Sequence, residues 1–178
     1  ASGKDTIYQR LLRNPEFSLE RLVIYTTRPI RDGELDGREY HFVTEEDFQK
    51  LKAEGKIIED RGYETVYGLW RYFTADNMNL EEKSYLGIGT LESYEKLKAY
   101  YGEEKIRPIY IEVEDGERLK RAIAREETQE TPKYEEMCRR FLADEADFSR
   151  ENLQRLGIEK AYENEDFEEC AAQLEKTI

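Results

Sequence analysis

A chain of 178 residues, 38% of them hydrophobic, has the length for one globular domain around a single core. Its formal net charge of −13 argues against nucleic acid or an anionic membrane surface as partner and makes any anionic substrate depend on a locally basic pocket. No leader peptide or membrane-length apolar run is visible, and Cys138 and Cys170 lack metal-ligand spacing, so a reduced, cytoplasmic protein is expected.

The chain opens on Ala1-Ser2-Gly3-Lys4-Asp5-Thr6 and runs directly into Ile7-Tyr8-Gln9-Arg10-Leu11-Leu12. A helix start offers unpaired N–H groups, a glycine lets the backbone approach an oxygen, and a lysine neutralises terminal phosphates. These parts make either the second half of a G-x-x-x-x-G-K-[ST] phosphate loop or a capped surface turn. The full pattern leads one to expect a buried strand and the opening of the loop ahead of Ala1. A helix from Asp5 or Thr6 to Arg13 should end at Asn14-Pro15, because the residue before a proline is pushed out of the α region.

Leu22 to Thr26 then reads as a short buried strand, residues 27–39 as turn-rich, and Tyr40 to Val43 as an edge strand. Thr44 caps a helix with Glu45, Glu46 and Asp47 in its first turn, and Gly55 stops it. Lys56 to Asp60, Glu64 to Tyr67, Ser84 to Thr90 and Arg107 to Val113 read as strands, with helices at Leu91 to Tyr100 and Glu117 to Arg125. Strand alternating with helix predicts an α/β fold. Tyr134 to Arg155 reads as helical, with Met137, Phe141 and Ala146 on an apolar stripe. Ile158 to Tyr162 is a strand candidate, and Asn164-Glu165-Asp166 caps a last helix. The polar segment Arg125 to Lys133, interrupted by Pro132, suits a mobile lid.

Two clusters concentrate positive charge in this acidic chain. Arg28-x-x-Arg31 followed by Tyr40 can hold a monophosphate through guanidinium forks and a hydroxyl; the alternative is surface pairing with Asp32, Glu34, Asp36 and Glu39. Arg121 and Arg125 share a helix face, with Arg139 and Arg140 beyond them, and phosphoryl transfer needs positive charge around the transferring group. Their alternative is pairing with Glu117, Glu126, Glu135 and Glu136. His41, between Tyr40 and Phe42, reads as a packed strand residue. Thirteen tyrosines against one tryptophan supply rings that keep a hydroxyl for polar ligands.

The segment from Tyr25-Thr-Thr-Arg28-Pro-Ile-Arg31-Asp-Gly-Glu34 to Gly37-Arg-Glu-Tyr40-His-Phe42-Val resembles the GMP-phosphate segment of the guanylate kinases, P-loop nucleoside monophosphate kinases. The resemblance continues through Glu59, where the family carries a glutamate against guanine, Tyr67-Gly68, Arg121, Arg125, Arg140 and Asn164-Glu165-Asp166. It implies a single domain over residues 1–178: a three-layer α/β fold with a parallel central sheet, a small mixed-β GMP-binding subdomain over 28–72 and a lid over 125–133. The implied reaction is ATP + GMP to ADP + GDP, with dGMP as an equivalent acceptor and Mg²⁺ as cofactor.

In that scheme Ser2, Gly3, Lys4, Asp5, Thr6 and Asn164 bind ATP, and Asp5 stands where a hydroxyl usually ligates Mg²⁺. Arg28, Arg31, Tyr40, Glu59 and Tyr67 bind GMP, while Lys4, Arg121, Arg125 and Arg140 are catalytic. Leu69 occupies the place of a hydroxyl residue that helps read guanine, and Gly87 and Gly89 occupy places of family aspartates, so Glu59 is expected to carry more of the base selection. Two alternatives remain at this point: a relative phosphorylating a ribose phosphate, and a non-catalytic module binding phosphorylated peptides.

Overall fold

The computed structural model describes residues 1–65 and 67–178. In chain order the described elements are α1 (Lys4–Arg13), β1 (Leu19–Arg21), β2 (Tyr25–Thr26), β3 (His41–Phe42), α2 (Glu45–Ala53), β4 (Ile57–Thr65) and β5 (Gly68–Ala75). They continue with β6 (Ser84–Leu86), α3 (Leu91–Tyr101), β7 (Tyr110–Glu112), α4 (Asp115–Glu127), α5 (Tyr134–Asp147), α6 (Arg150–Arg155), β8 (Ala161–Glu163) and α7 (Phe167–Glu175). The chain divides into two compact units, one of residues 1–17 with 107–178 and one of residues 18–106. The class is mixed α/β with parallel strand pairing, as the alternating pattern predicts.

In the first unit β7 and β8 pair in parallel, Tyr110 opposite Ala161 and Glu112 opposite Glu163. A parallel pair needs a long crossover, and α4 to α6 supply it. α1 packs on α7. Ile7 and Leu11, one helical turn apart, and Cys170, Ala171 and Leu174 are the buried side chains of those two helices. Burial pushes the Cys170 thiol up from its ordinary value.

The second unit holds the parallel pair β1–β6 and a four-stranded sheet in the order β3-β2-β5-β4. Phe48 of α2 packs edge-on against Phe73 of β5 at 5.0 Å between ring centres, and both are fully buried. Ala75 completes this core, with Tyr25, Val43, Leu51 and Ile57 around it. α2 begins where the sequence places it, because Thr44 Oγ1 accepts from the Asp47 amide at 3.1 Å while the Asp47 carboxylate accepts from the Thr44 amide at 3.0 Å.

Several boundaries differ from the sequence reading for physical reasons. The two strand pieces expected around 56–67 are one strand, β4, running through the polar stretch Arg61-Gly62-Tyr63 because β5 pairs with it along its length. β5 itself is rich in β-forming aromatic residues and is an added strand. The helix expected over 134–155 breaks after Asp147, and Ser149 caps α6 by accepting from the Asn152 amide. Asp166 caps α7, accepting from the Glu169 amide at 2.9 Å.

Candidate active site

In the first unit Gly3 is the N-cap of α1, with φ 80°, and no side chain caps that helix. The left-handed backbone favours glycine, and a Cβ there would stand 2.3 Å from Asn164 Nδ2. Asn164 is almost fully buried and donates from Nδ2 to the Ser2 carbonyl at 2.7 Å. Its own carbonyl accepts from Arg121 Nη1 at 2.9 Å, and Arg121 also reaches the Glu165 carbonyl and, at 3.0 Å, Glu117. Arg121, Asn164 and the Ser2-Gly3 backbone therefore form one connected strut. An uncapped helix start on a glycine bend is an anion-binding arrangement, with aligned N–H groups and the positive dipole end facing outward.

Lys4 lies exposed beside Asp5, its Nζ 3.1 Å from both carboxylate oxygens. Thr6 sits in the first turn, its amide donating to the Gly3 carbonyl at 3.1 Å. Arg125 is exposed near the end of α4. Arg139 and Arg140 both bond Glu136, at 2.7 and 2.8 Å, and these two guanidinium groups hold its carboxyl down at about 2. Arg118 is an addition that the sequence does not single out: its guanidinium lies 4.2 Å over the Phe141 ring and pairs with Glu145 and Asp115. The expected lid segment covers the last turn of α4 and the turns leading to α5.

Mg²⁺ usually takes one or two carboxylates and completes its shell with phosphate oxygens and water. Asp5 supplies one such carboxylate next to the loop, which fits a metal brought in on a nucleotide. No group of three or more His, Cys, Asp or Glu among the described residues forms a metal cage.

In the second unit the register of β4 on β5 sorts the side chains. Asp60 opposite Phe73 belongs to the α2 face, so Glu59 opposite Thr74, Arg61 opposite Tyr72 and Tyr63 opposite Trp70 share the other face. Leu69, opposite Glu64, falls on the α2 face together with Arg71, away from Glu59. Tyr72 joins this surface to the arginine insert: its ring meets Tyr40 edge-on at 5.6 Å and Tyr63 at 5.7 Å, and the Arg28 guanidinium lies 5.4 Å from the Tyr40 ring centre.

Arg28 is buried and forked onto Glu34, with Nη2 to Oε1 at 2.8 Å and Nη1 to Oε2 at 3.0 Å. Its guanidinium also lies 5.4 Å from the Tyr40 and Phe42 ring centres. The hydrogen bonds to Arg28 hold the Glu34 carboxyl below its ordinary value, and Glu34 in turn raises Arg28. Arg31 offers its backbone amide to Glu34 at 2.8 Å while its side chain stays in solvent. Tyr67 is 82% exposed and stacks on Trp70, ring planes 7° apart. The Glu59 side chain is only 4% exposed, accepting from Thr74 Oγ1 at 2.8 Å and facing Arg61 Nε at 3.4 Å. Arg28, Tyr40 and Glu59 are thus tied to one sheet face, with Tyr67 stacked at the Trp70 end.

The family model described as guanylate kinase matches residues 1–178. The chain belongs to the guanylate kinase family. It is 40% identical over 94 residues to the guanylate kinase of Schizosaccharomyces pombe, a match covering 53% of this chain and 40% of that protein. With the Porphyromonas gingivalis guanylate kinase it shares 27% identity over 181 residues, covering 99% of this chain and 90% of that one. The crystal structure of guanylate kinase from Anaplasma phagocytophilum superposes with a TM-score of 0.57 at 25% identity, covering 97% of this chain and 79% of that one. The matches to the S. pombe protein and to a Wolbachia guanylate kinase span 40% and 54% of those proteins. As a guanylate kinase family fold it carries no described helix long and apolar enough to cross a membrane.

Tyr72, Trp70 and Arg61 share the sheet face of Glu59, and sequence reading does not single them out. Their signal is the aromatic-rich run after Gly68, which acquires meaning only when β5 is paired with β4.

Proposed function

We propose that the chain transfers the γ-phosphoryl group of ATP to GMP or dGMP, yielding GDP or dGDP, as a cytoplasmic enzyme acting on small nucleotides. The observation that carries this reading is the sheet face that Arg28 and Tyr40 adjoin through Tyr72, in a chain whose family match runs over residues 1–178. Residues 28–72 form the GMP-binding subdomain in this reading, and 125–133 the lid.

The monophosphate of GMP binds at Arg31, whose guanidinium is in solvent, with Arg28, Tyr40 and Tyr67 around it. Glu34 fixes the Arg28 fork before substrate arrives, so little ordering is left for binding to cost. Ser2, Gly3, Thr6 and the first-turn amides of α1 cradle the ATP phosphates, and Asn164 acts through the Ser2 carbonyl as a positioning residue. Lys4 leaves Asp5 for the β- and γ-phosphate oxygens. Asp5 then has an open carboxylate for Mg²⁺, which when bound offsets charge on the phosphates. Arg121, Arg125 and Arg140 supply positive charge to the transferring group, Arg140 by exchanging Glu136 for phosphate. Catalysis of this kind is positioning and electrostatics, with closure keeping water from ATP.

A coupled ADP-release assay of the full-length protein with Mg-ATP and GMP, dGMP, AMP or UMP tests the proposal. Turnover is expected with the guanine nucleotides, and Lys4→Ala should lower turnover far more than GMP affinity. Absence of turnover with every nucleotide, or equal loss of GMP binding and turnover in Lys4→Ala, would sink it.

A further inference from the structure

The Glu59 carboxylate is buried yet keeps acceptor positions to spare. Thr74 Oγ1 donates to its Oε1 at 2.8 Å, while Oε2 faces Arg61 Nε at 3.4 Å without a hydrogen bond. A carboxylate offers about four lone-pair sites, so this pairing leaves most of them open. Burying a charge is costly unless a countercharge stands near it, and a countercharge that also took the lone pairs would leave none for a ligand. Arg61, 26% exposed against 4% for Glu59, supplies the charge and spares the acceptors.

The strand places the pair by a break in register. In an unbroken strand Ile57 and Glu59 would share a face. Ile57 lies opposite Ala75 but Glu59 lies opposite Thr74, so Ile57 stays with the Phe48–Phe73 core and Glu59 turns to the other face, where Arg61 follows it. A bulge of this kind re-aims a side chain.

We infer that Arg61 is a positioning residue for base selection: as the countercharge of Glu59 it holds that carboxylate ready for the N1–H and 2-amino donors of guanine, and so sets the margin by which GMP is preferred to IMP. The inference rests on Glu59 being the group against the base, within the proposed monophosphate site. Hypoxanthine lacks the 2-amino group, so a well-held carboxylate favours GMP by about tenfold or more. Without its countercharge Glu59 turns from the base or takes up a proton, and the margin shrinks.

Calorimetric binding of GMP and IMP to the full-length protein tests this. The wild type should prefer GMP by about tenfold or more, and Arg61→Met should bring the GMP-to-IMP ratio below about threefold. Arg61→Lys, which keeps the charge, should retain most of the wild-type ratio. A merely structural role would lower the melting midpoint and weaken both nucleotides together, leaving the ratio unchanged. If Arg61→Met does not fold, Arg61→Gln carries the same expectation. A wild-type ratio in a folded neutral variant, or a collapse in Arg61→Lys as full as in Arg61→Met, would overturn the inference while leaving Glu59 as reader. Glu59→Gln separates the two claims: a ratio unchanged in that variant, or no preference for GMP in the wild type, removes Glu59 from the base and this inference with it.

Discussion

Arg28 and Arg31 stand three residues apart yet occupy opposite states. Arg28 is buried and spent on Glu34, while Arg31 keeps its guanidinium in solvent and engages Glu34 only through its backbone. In the proposed function that difference divides their roles: Arg28 would shape the pocket, and Arg31 would supply the charge that a monophosphate recruits. Arg31→Ala should therefore weaken GMP binding by about 1.5–3 kcal/mol, the usual worth of a charge-assisted hydrogen bond, without moving the thermal midpoint. Calorimetry with melting curves checks this, and unchanged GMP affinity would make the insert a surface ion-pair network. The Arg28–Glu34 fork has its own signature in acid. Because Glu34 titrates below its ordinary 4.5 in the folded state, its stabilisation is complete above that value and is lost as pH falls through the depressed one. The midpoint gap between wild type and Glu34→Gln should be constant from neutral pH down to the ordinary carboxylate value and close as pH falls further; a gap that persists in strong acid would contradict the fork.

At the scale of elements, the β4–β5 hairpin serves two purposes with its two faces. Phe73 and Ala75 of one face pack on Phe48 of α2, which fixes the register that presents Glu59, Arg61 and Tyr72 on the other. Phe73→Ala should cost about 3–5 kcal/mol of stability, as for other fully buried rings, and a denaturant titration measures it. A loss under 1 kcal/mol would mean that this core does not hold the sheet. The same hairpin marks the limit of what the sequence tells. The helix caps at Thr44 and Asp166 and the arginine insert are legible because their partners lie within a few residues. The face shared by Glu59, Arg61 and Tyr72 is not, because pairing across β4 and β5 joins residues 15 apart, as with Glu59 and Thr74. The sequence reading ends a strand at Tyr67 and marks Tyr67-Gly68 only by resemblance, which hides the strand starting at Gly68. Likewise the strut from Arg121 through Asn164 to Ser2 crosses 162 residues of chain between its last two members. Asn164 stands out in the sequence only by resemblance, and its contact with the loop backbone comes from the fold.

For the whole molecule, a net charge of −13 means that an anionic substrate is repelled everywhere except where cations are gathered. The phosphate loop with its strut and the arginine insert with its sheet face are two such places, each within its own compact unit. Trp70 is the only tryptophan in the chain, and it stands on that sheet face beneath the exposed Tyr67 ring. The most direct measurement is a titration of the full-length protein with GMP, read by tryptophan emission and by calorimetry on the same sample. A saturable change in Trp70 emission that tracks calorimetric binding, and that shifts to higher GMP concentration in Arg31→Ala, is the expected result. No GMP binding, or binding that leaves Trp70 emission unchanged, would contradict the assignment of this face as the monophosphate site.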